Sequence, residues 1–187
     1  MKFSTIMADP PWMYSYETRK TETPGTGWLG AGERHYPTMK FADIKALPVP
    51  GLAADNAVLW LWIVNPLMAR GFELLEHWGF TYKGMVTWAK TQNDWVTPFV
   101  GCGYWLRGAT EHMLLGVKGQ VKPLVKVQPT WFSAPVTEHS EKPEHSYRVA
   151  ERYWYEPRLE MFARRKRPGW SVWGNEVESD IVMPTGT

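Results

Sequence analysis

Apolar residues fall into short runs that predict the buried strands of a sheet. The run from Phe3 to Ala8 is β-compatible and ends at Asp9, because the two prolines that follow cannot donate to a β-ladder. The eight residues from Ala57 to Val64 are continuously apolar, which is typical of a central strand covered on both faces. We therefore expect two buried strands in the first third of the chain.

A helix is predicted directly after the central strand. Pro66 suits its first turn and Gly79 suits its C-terminal cap, and the apolar residues between them recur at three- and four-residue spacing. Phe80 to Lys90 has the pattern of a further strand, so strand, helix and strand together have the size of a βαβ unit. The predicted apolar face of the helix comprises Leu67, Gly71, Leu74, Leu75 and Trp78.

The rest of the chain continues the alternation, which indicates an α/β fold. Two segments, 13–40 and 92–108, lack periodicity, and irregular segments of that length in a compact domain are usually functional. The remaining predicted elements are one or two helical turns over Ala42–Leu47, a strand over Glu111–Lys118, a helix that begins at Pro143, and strands over Arg158–Ala163 and Ser171–Trp173.

Composition narrows the class of protein. A chain of 187 residues suits one domain, and 44% hydrophobic with 21% charged residues is typical of globular proteins rather than disordered ones. The single cysteine, Cys102, excludes an internal disulfide, and the start of the chain lacks the pattern of a signal peptide. Since no apolar run is long enough for a bilayer, we expect a soluble cytoplasmic protein without a membrane role.

Tryptophan is unusually frequent, with 12 residues in the chain. Trp60, Trp62 and Trp78 fall on the predicted central strand and its helix, where core packing is the expected role. Trp95 and Trp105 fall on an irregular segment, where contact with nucleic acid and anchoring of the loop are equally compatible with the pattern.

The tetrapeptide Asp9-Pro10-Pro11-Trp12 is the first candidate for chemistry. It follows a strand, and open α/β sheets bind ligands at the carboxyl ends of their strands. A planar amino heterocycle could donate its exocyclic amine to the Asp9 carboxylate and the Pro10 carbonyl, while Trp12 supplies a stacking face. Because prolines stiffen the segment, little conformational freedom is lost on binding.

This tetrapeptide resembles the signature of a family of N6-adenine methyltransferases that includes the eukaryotic mRNA adenosine methyltransferases and short bacterial and phage enzymes. The similarity extends over residues 3–177, with 178–187 as a C-terminal tail, and we expect a single methyltransferase domain. The further motifs that agree, in order, are His35–Met39, Leu61–Pro66, Gly101–Arg107 followed by Glu111 and Gly116, Ser140–Pro143, Leu159–Arg164, Gly169–Trp170 and Gly174–Glu176.

The resemblance implies a Rossmann-like fold with permuted motif order, in which a central, mostly parallel sheet is flanked by helices. It also implies S-adenosylmethionine as the cofactor, although the chain's one G-x-G-x-x-G match, at residues 25–30, does not directly follow a predicted strand as a dinucleotide-binding motif would. A lysine at the start of a helix is unfavourable to the helix dipole, which favours a functional role for Lys142. The residues that match cofactor-binding positions are Ala8, Asp9, Lys142, Phe162, Arg164, Asn175 and Glu176.

The resemblance further implies methyl transfer to the N6 amine of adenine in nucleic acid. The catalytic residues are then Asp9, Pro10, Pro11 and Trp12. Tyr36 and Glu111 match positions that face the target base, and Arg107 is a candidate phosphate contact. Short bacterial and phage relatives usually modify DNA, so DNA is the favoured substrate and RNA is the alternative.

Other functions are compatible with parts of the sequence. One is a non-catalytic nucleic-acid-binding partner with a degenerate methyltransferase fold, and another is methylation of cytosine N4. A zinc deaminase is excluded because a chain with one cysteine cannot contain its P-C-x-x-C motif, and the H-x-E match at residues 139–141 therefore lacks the cysteine ligands. His139 and His145 lie near several glutamates but do not have zinc-ligand spacing, so we predict no metal. The sequence leaves the oligomeric state open.

Overall fold

A computed structural model describes residues 1–13, 37–101, 105–137 and 141–183 of the chain. Cys102, Tyr36 and His139 therefore lie outside the described residues. The elements, in chain order, are β1 Phe3–Ala8, α1 Phe41–Lys45, α2 Val49–Leu52, β2 Ala53–Ile63, a 3-10 turn Asn65–Leu67, α3 Met68–His77, β3 Thr81–Thr91, β4 Thr110–Lys118, β5 Trp131–Pro135, α4 Glu144–Tyr153, β6 Arg158–Met161 and β7 Ser171–Trp173.

The seven strands form one sheet in the order β5-β3-β4-β2-β1-β6-β7. Strand β1 is parallel to β2 and β6, β6 is parallel to β7, and β3 is parallel to β5. Only β4 among these strands runs the other way, antiparallel to both β2 and β3. The carboxyl ends of six strands therefore meet at one edge, which we call the carboxyl edge, and β4 begins there.

Alternation along β2 divides the core between the two faces of the sheet. Leu59, Leu61 and Ile63 are buried in the cluster that includes residues of α1, α2 and α3, whereas Trp60 and Trp62 are buried in the cluster that includes residues of α4. Successive side chains of a strand point to opposite faces, so a strand covered on both faces becomes continuously apolar. None of the helices in the described ranges is long and apolar enough to cross a membrane.

The predicted fold class is confirmed, and most predicted elements are found. Strand β2 begins four residues before the predicted start, at Ala53, and β6 ends at Met161 rather than at Ala163. The predicted strand-helix-strand unit is present, and β4 lies between its two parallel strands. The sequence analysis missed β5, which is only five residues long and lies at the edge of the sheet.

The chain beyond the predicted domain boundary at 177 contacts the sheet. The Asp180 amide donates to the Val172 carbonyl at 2.8 Å, and the Asp180 carboxylate accepts the Val172 amide at 3.0 Å. Ile181 and Met183 are partly buried against the core. Residues after 177 thus pack on the domain that precedes them, and the domain boundary at 177 stays a prediction.

Gly174 allows the segments after β6 and β7 to come close together. The Ala163 amide donates to the Trp173 carbonyl at 3.0 Å, immediately before this glycine. A Cβ atom at position 174 would overlap the Ala163 carbonyl oxygen and lie 2.8 Å from the Ala163 nitrogen. Both neighbours are backbone atoms, which cannot move aside as a flexible side chain can.

We expect Gly174→Ala to lower the free energy of unfolding by about 1–3 kcal/mol, the usual cost of forcing an extra carbon into a packed site. Gly84→Ala is the matched control, because a Cβ at residue 84 has no other atom within 4 Å. Urea denaturation of both variants measures the effect. Equal stability of the two variants would contradict the close approach.

Candidate active site

Four charged side chains from distant parts of the sequence meet at the carboxyl edge. Lys142 Nζ lies 2.6 Å from Asp9 Oδ2 and 3.3 Å from Glu111 Oε2. Lys90 Nζ lies 2.6 Å from Glu111 Oε1. We call these four residues the ionic network. Its charges alternate in sign along the chain of contacts Lys90, Glu111, Lys142 and Asp9, and three of its members are residues predicted from the sequence.

Strand periodicity explains why these side chains meet. Met7, Trp88 and Met113 belong to the core cluster on the α4 face of the sheet. Asp9, Lys90 and Glu111 each lie two residues from one of them, and side chains two apart in extended chain point to the same face. Lys142 lies two residues before the start of α4. The network therefore forms where the α4 face reaches the carboxyl edge.

Two buried tryptophans support the lysines of the network. Lys142 Nζ lies 5.3 Å from the ring centroid of Trp62, and Lys90 Nζ lies 5.1 Å from that of Trp88. The two indoles contact each other edge to face, with centroids 6.3 Å apart. A cation is attracted to the face of an indole at such distances. The rings thus form an apolar floor that favours positive charge above it.

The network is well shielded from solvent, and this controls its proton affinities. The Lys142 side chain is 10% exposed and the Asp9 side chain 34%. Burial lowers the pKa of Lys142, but the Asp9 and Glu111 carboxylates outweigh that effect and hold the pKa above its ordinary value. Lys142 therefore remains a cation at neutral pH.

The two carboxylates of the network differ in proton affinity. Burial in a recess of the protein raises the pKa of Asp9 even though a third of the side chain is exposed, and nearby Lys142 offsets only part of the rise. Burial also raises the pKa of Glu111, but the two lysines outweigh it, and the net pKa is lowered. Glu111 is thus a firmly ionised link, and Asp9 is the more proton-attracting carboxylate.

The segment that follows Asp9 is fixed by hydrogen bonds of its own. The Trp12 amide donates to the Pro10 carbonyl at 2.8 Å, and the Met39 amide donates to the Pro11 carbonyl at 2.8 Å. The Trp12 indole N–H donates to the Trp62 carbonyl at 3.2 Å. The tetrapeptide is therefore held rigidly between β1 and β2.

Trp12 has a structural role that the sequence analysis did not predict. Its side chain is 7% exposed, packs with the cluster of α1 to α3 and stacks on Phe41 at a centroid distance of 6.4 Å. It also borders a groove of about 220 Å³, and stacking on a base stays a prediction. The groove is lined by Trp12, Met13, Met39, Lys40, Phe41, Leu67 and Arg70.

Apart from Lys142, which precedes α4, the residues predicted to bind the cofactor lie at or shortly after the ends of three neighbouring strands, β1, β6 and β7. Ala8 is the last residue of β1 and pairs with Met161 at the end of β6. Phe162 adopts a left-handed backbone conformation with φ of 65° and contacts Trp173 edge to face at 5.4 Å. The remaining predicted residues are Arg164, whose Nε lies 3.6 Å from Glu176 Oε1, and the exposed Asn175.

Of the two other predicted substrate contacts, only Arg107 is described, and it is not part of the ionic network. Arg107 is exposed, and its Nε donates to the Gly101 carbonyl at 2.8 Å. Tyr36 lies outside the described residues. Their roles stay predictions. Within the described ranges, no group of three His, Cys, Asp or Glu residues could hold a metal ion.

The sequence analysis missed Lys90 and a second polar cluster. The Tyr147 hydroxyl donates to the Glu160 carboxylate at 2.6 Å, and the Arg167 guanidinium lies 3.5 Å from the Tyr147 ring centroid. Lys90 could have been found, since a lysine at the carboxyl end of an apolar strand lies where ligands bind. The second cluster has no comparable sequence signal.

A mostly parallel sheet with a charged cluster at its carboxyl edge is typical of Rossmann-like enzymes, which bind ligands at that edge. The MT-A70 family model matches residues 3–176. The chain therefore belongs to the MT-A70 family, whose members have a methyltransferase fold, and the resemblance seen in the sequence is confirmed.

Known relatives differ greatly in length. The chain is 30% identical to the Type II methyltransferase M.MunI of Mycoplasma sp, over 98% of this chain and 82% of that protein. It is 32% identical to an N(6)-adenosine-methyltransferase MT-A70-like protein of Arabidopsis thaliana, over 98% of this chain and 25% of that protein. For the catalytic subunit METTL3 of Homo sapiens the values are 30%, 95% and 28%. The chain thus spans most of the first relative and about a quarter of the others.

We expect Lys142→Met to destabilise the protein by about 3 kcal/mol at pH 7, because it leaves two shielded carboxylates without their shared cation. The pKa of Asp9 and of Glu111 then rises, so protonation on acidification relieves the repulsion. Urea denaturation at pH 7 and pH 5 should show a smaller deficit at the lower pH. The exposed Lys122→Met is the control, and a deficit that is independent of pH would contradict the electrostatic account.

Proposed function

We propose that this protein transfers the methyl group of S-adenosylmethionine to the N6 amine of adenine in DNA. The observation that carries the proposal is the Asp9 carboxylate, which directly follows the parallel strand β1 and lies 2.6 Å from Lys142 Nζ. A third of the Asp9 side chain remains exposed, so an amine can approach the carboxylate. Membership of the MT-A70 family supports the same reaction class.

The residues at the carboxyl edge suit the proposed cofactor. Asp9 and Lys142 offer a carboxylate and an ammonium to the amino and carboxylate groups of its methionine part, and Asn175 and Glu176 suit ribose hydroxyls. Gly174 supports the fit, because the absence of a Cβ lets the ends of β6 and β7 approach closely beside these donors. Ala8, Phe162 and Arg164 complete the proposed site. When bound, S-adenosylmethionine supplies an electrophilic methyl group on its sulfonium.

The protein's part in the reaction is to position the adenine amine. Asp9 would accept one N–H of the amine, and the Pro10 carbonyl would accept the other. One lone pair of that carbonyl already accepts the Trp12 amide at 2.8 Å, which leaves the second lone pair for the substrate. Both acceptors favour a more tetrahedral nitrogen and the positive charge that develops on it. No further base is needed to activate the amine before the transfer, and the proton that the methylated nitrogen must then lose would pass to the Asp9 carboxylate and from there to solvent.

The residues proposed to bind the target base are largely distinct from those proposed to bind the cofactor. Glu111 would face the base, together with Tyr36 and the stacking face of Trp12, while Arg107 would contact the phosphate backbone. In a duplex the adenine must leave the stack, and stacking on an aromatic residue, worth about 1–3 kcal/mol per base, would offset part of that cost.

DNA is favoured over RNA by one relative, a Type II methyltransferase of Mycoplasma sp, of which the chain covers 82% at 30% identity. By analogy with such a bacterial enzyme, we propose that this protein acts on DNA in the cytoplasm. A non-catalytic partner is disfavoured, because a degenerate copy has no need of an intact Asp9, Glu111 and Lys142.

The decisive assay incubates the protein with labelled S-adenosylmethionine and random-sequence pools of DNA or RNA, single- and double-stranded, and then identifies modified nucleosides by mass spectrometry. We expect N6-methyladenine in DNA. Product in RNA alone would replace the proposed substrate, and N4-methylcytosine would replace the target base. Absence of any methylated nucleoside would overturn the proposed function.

We expect Asp9→Ala to reduce methyl transfer at least about 100-fold, the scale seen when one preorganised polar group of an active site is removed. Calorimetry should show that cofactor binding is largely kept, because Lys142 and the other residues of the proposed cofactor site remain when this one contact is lost. Asp55→Ala is the matched control, because Asp55 is an exposed aspartate near the start of β2, at the opposite end of that strand from the carboxyl edge. Retained activity in Asp9→Ala would mean that the amine is held elsewhere.

Activity should fall in acid, because Asp9 must be ionised to accept the amine. Burial and Glu111 raise the pKa of Asp9 above 3.8, while Lys142 and Arg164 lower it. The acidic limb of the kcat/KM profile should therefore lie above the range of an ordinary aspartate. Replacing Glu111 by Gln removes a negative charge, so that the limb moves to lower pH.

The control for this profile is Glu76→Gln, which changes an exposed glutamate on α3 and should leave the limb in place. An acidic limb that moves upward in Glu111→Gln, or that does not move, would argue against Asp9 as the titrating group.

A further inference from the structure

We infer that Lys90 is a positioning residue for Asp9: by holding one oxygen of Glu111, it leaves Lys142 closest to Asp9. The inference rests on the proposed function, since it concerns the carboxylate that would accept the adenine amine. Lys90 itself would touch neither the base nor the cofactor. It would act through two intervening side chains of the ionic network.

The distances between the lysines and the carboxylates of the ionic network are unequal. Lys142 Nζ is 2.6 Å from the Asp9 carboxylate but 3.3 Å from that of Glu111. Glu111 uses its other oxygen for Lys90, at 2.6 Å. Both lysines therefore contact Glu111. Lys90, which contacts no other carboxylate of the network, lies closer to Glu111 than Lys142 does.

Because both lysines contact Glu111, the charge of Lys90 affects the position of Lys142. If Lys90 lost its charge, the full negative charge of Glu111 would act on Lys142, and the attraction is strong because these side chains are only 10–18% exposed. Lys142 would then move toward Glu111 and away from Asp9. The Asp9 carboxylate would lose the contact that fixes its orientation toward the amine.

The backbone of Lys90 makes the side chain testable on its own. Its amide donates to the Ala109 carbonyl, and its carbonyl accepts the Phe99 amide, both at 2.9 Å. These bonds do not involve the ammonium group. Methionine at position 90 preserves most of the length of the side chain beside Trp88, so the strand and the loop should stay in place.

The experiment compares Lys90→Met with Lys90→Arg and with Lys83→Met, a change of an exposed lysine on the same strand. In Lys90→Met we expect kcat to fall about tenfold or more, while the KM for DNA and the affinity for the cofactor change less than about threefold. Lys90→Arg keeps the charge and should retain at least about a third of the activity. Lys83→Met should match the wild type.

Three kinetic results would overturn the inference. The first is a wild-type kcat in Lys90→Met. The second is an effect confined to the KM for DNA, which would indicate direct contact of Lys90 with the nucleic acid. The third is an equal loss of activity in Lys90→Arg, which would show that the positive charge is not required. Thermal unfolding of each variant checks that the fold is intact.

Crystal structures of the wild type and Lys90→Met give a readout that does not depend on activity. We expect Lys142 Nζ to lie closer to Glu111 than to Asp9 in the variant, which reverses the wild-type order. An unchanged order would overturn the inference. If the wild-type protein methylated no nucleic acid, the proposed function would fail, yet the order of these distances would still decide the role of Lys90.

Discussion

The contact between Lys142 and Asp9 is the interaction on which the site depends. Shielded charges are costly unless they are paired, so the 2.6 Å contact forms only if β1 and the start of α4 are placed correctly. The contacts of Glu111 and Lys90 likewise require that the start of β4 and the end of β3 are placed correctly. The fold of the sheet and the chemistry of its edge are therefore linked through one set of ion contacts.

The abundance of tryptophan acquires a physical meaning beside this network. Trp60, Trp62 and Trp78 are buried as predicted, but Trp62 also lies under Lys142 and contacts Trp88, which lies under Lys90. An indole is an apolar surface that still attracts a cation. The same side chains thus fill the core and stabilise the cations, whereas Trp95 and Trp105 are exposed.

Sequence patterns predicted much of the fold because buried strands and amphipathic helices have clear periodicities. Strand β2 and helix α3 are cases where apolar spacing and a terminal glycine sufficed. Strand β5 was missed because a short edge strand needs little apolar sequence. Asp9 was predicted from its place after a strand, Lys142 from the resemblance and its place before a helix, and Glu111 from the resemblance, but no pattern in the chain could show that they touch. Lys90 could have been noted from its place at the carboxyl end of a strand, but its contact with Glu111 depends on the pairing of β3 with β4, which only the structure provides.

The most direct test of the central claim is a crystal structure of the wild-type protein with adenosine monophosphate and S-adenosylhomocysteine. The claim is that the network holds Asp9 ready to accept the adenine amine. The account predicts the N6 atom within hydrogen-bond distance of the Asp9 carboxylate, with Lys142 still in contact with that carboxylate. An adenine bound with N6 directed away from Asp9, and toward another acceptor, would contradict it.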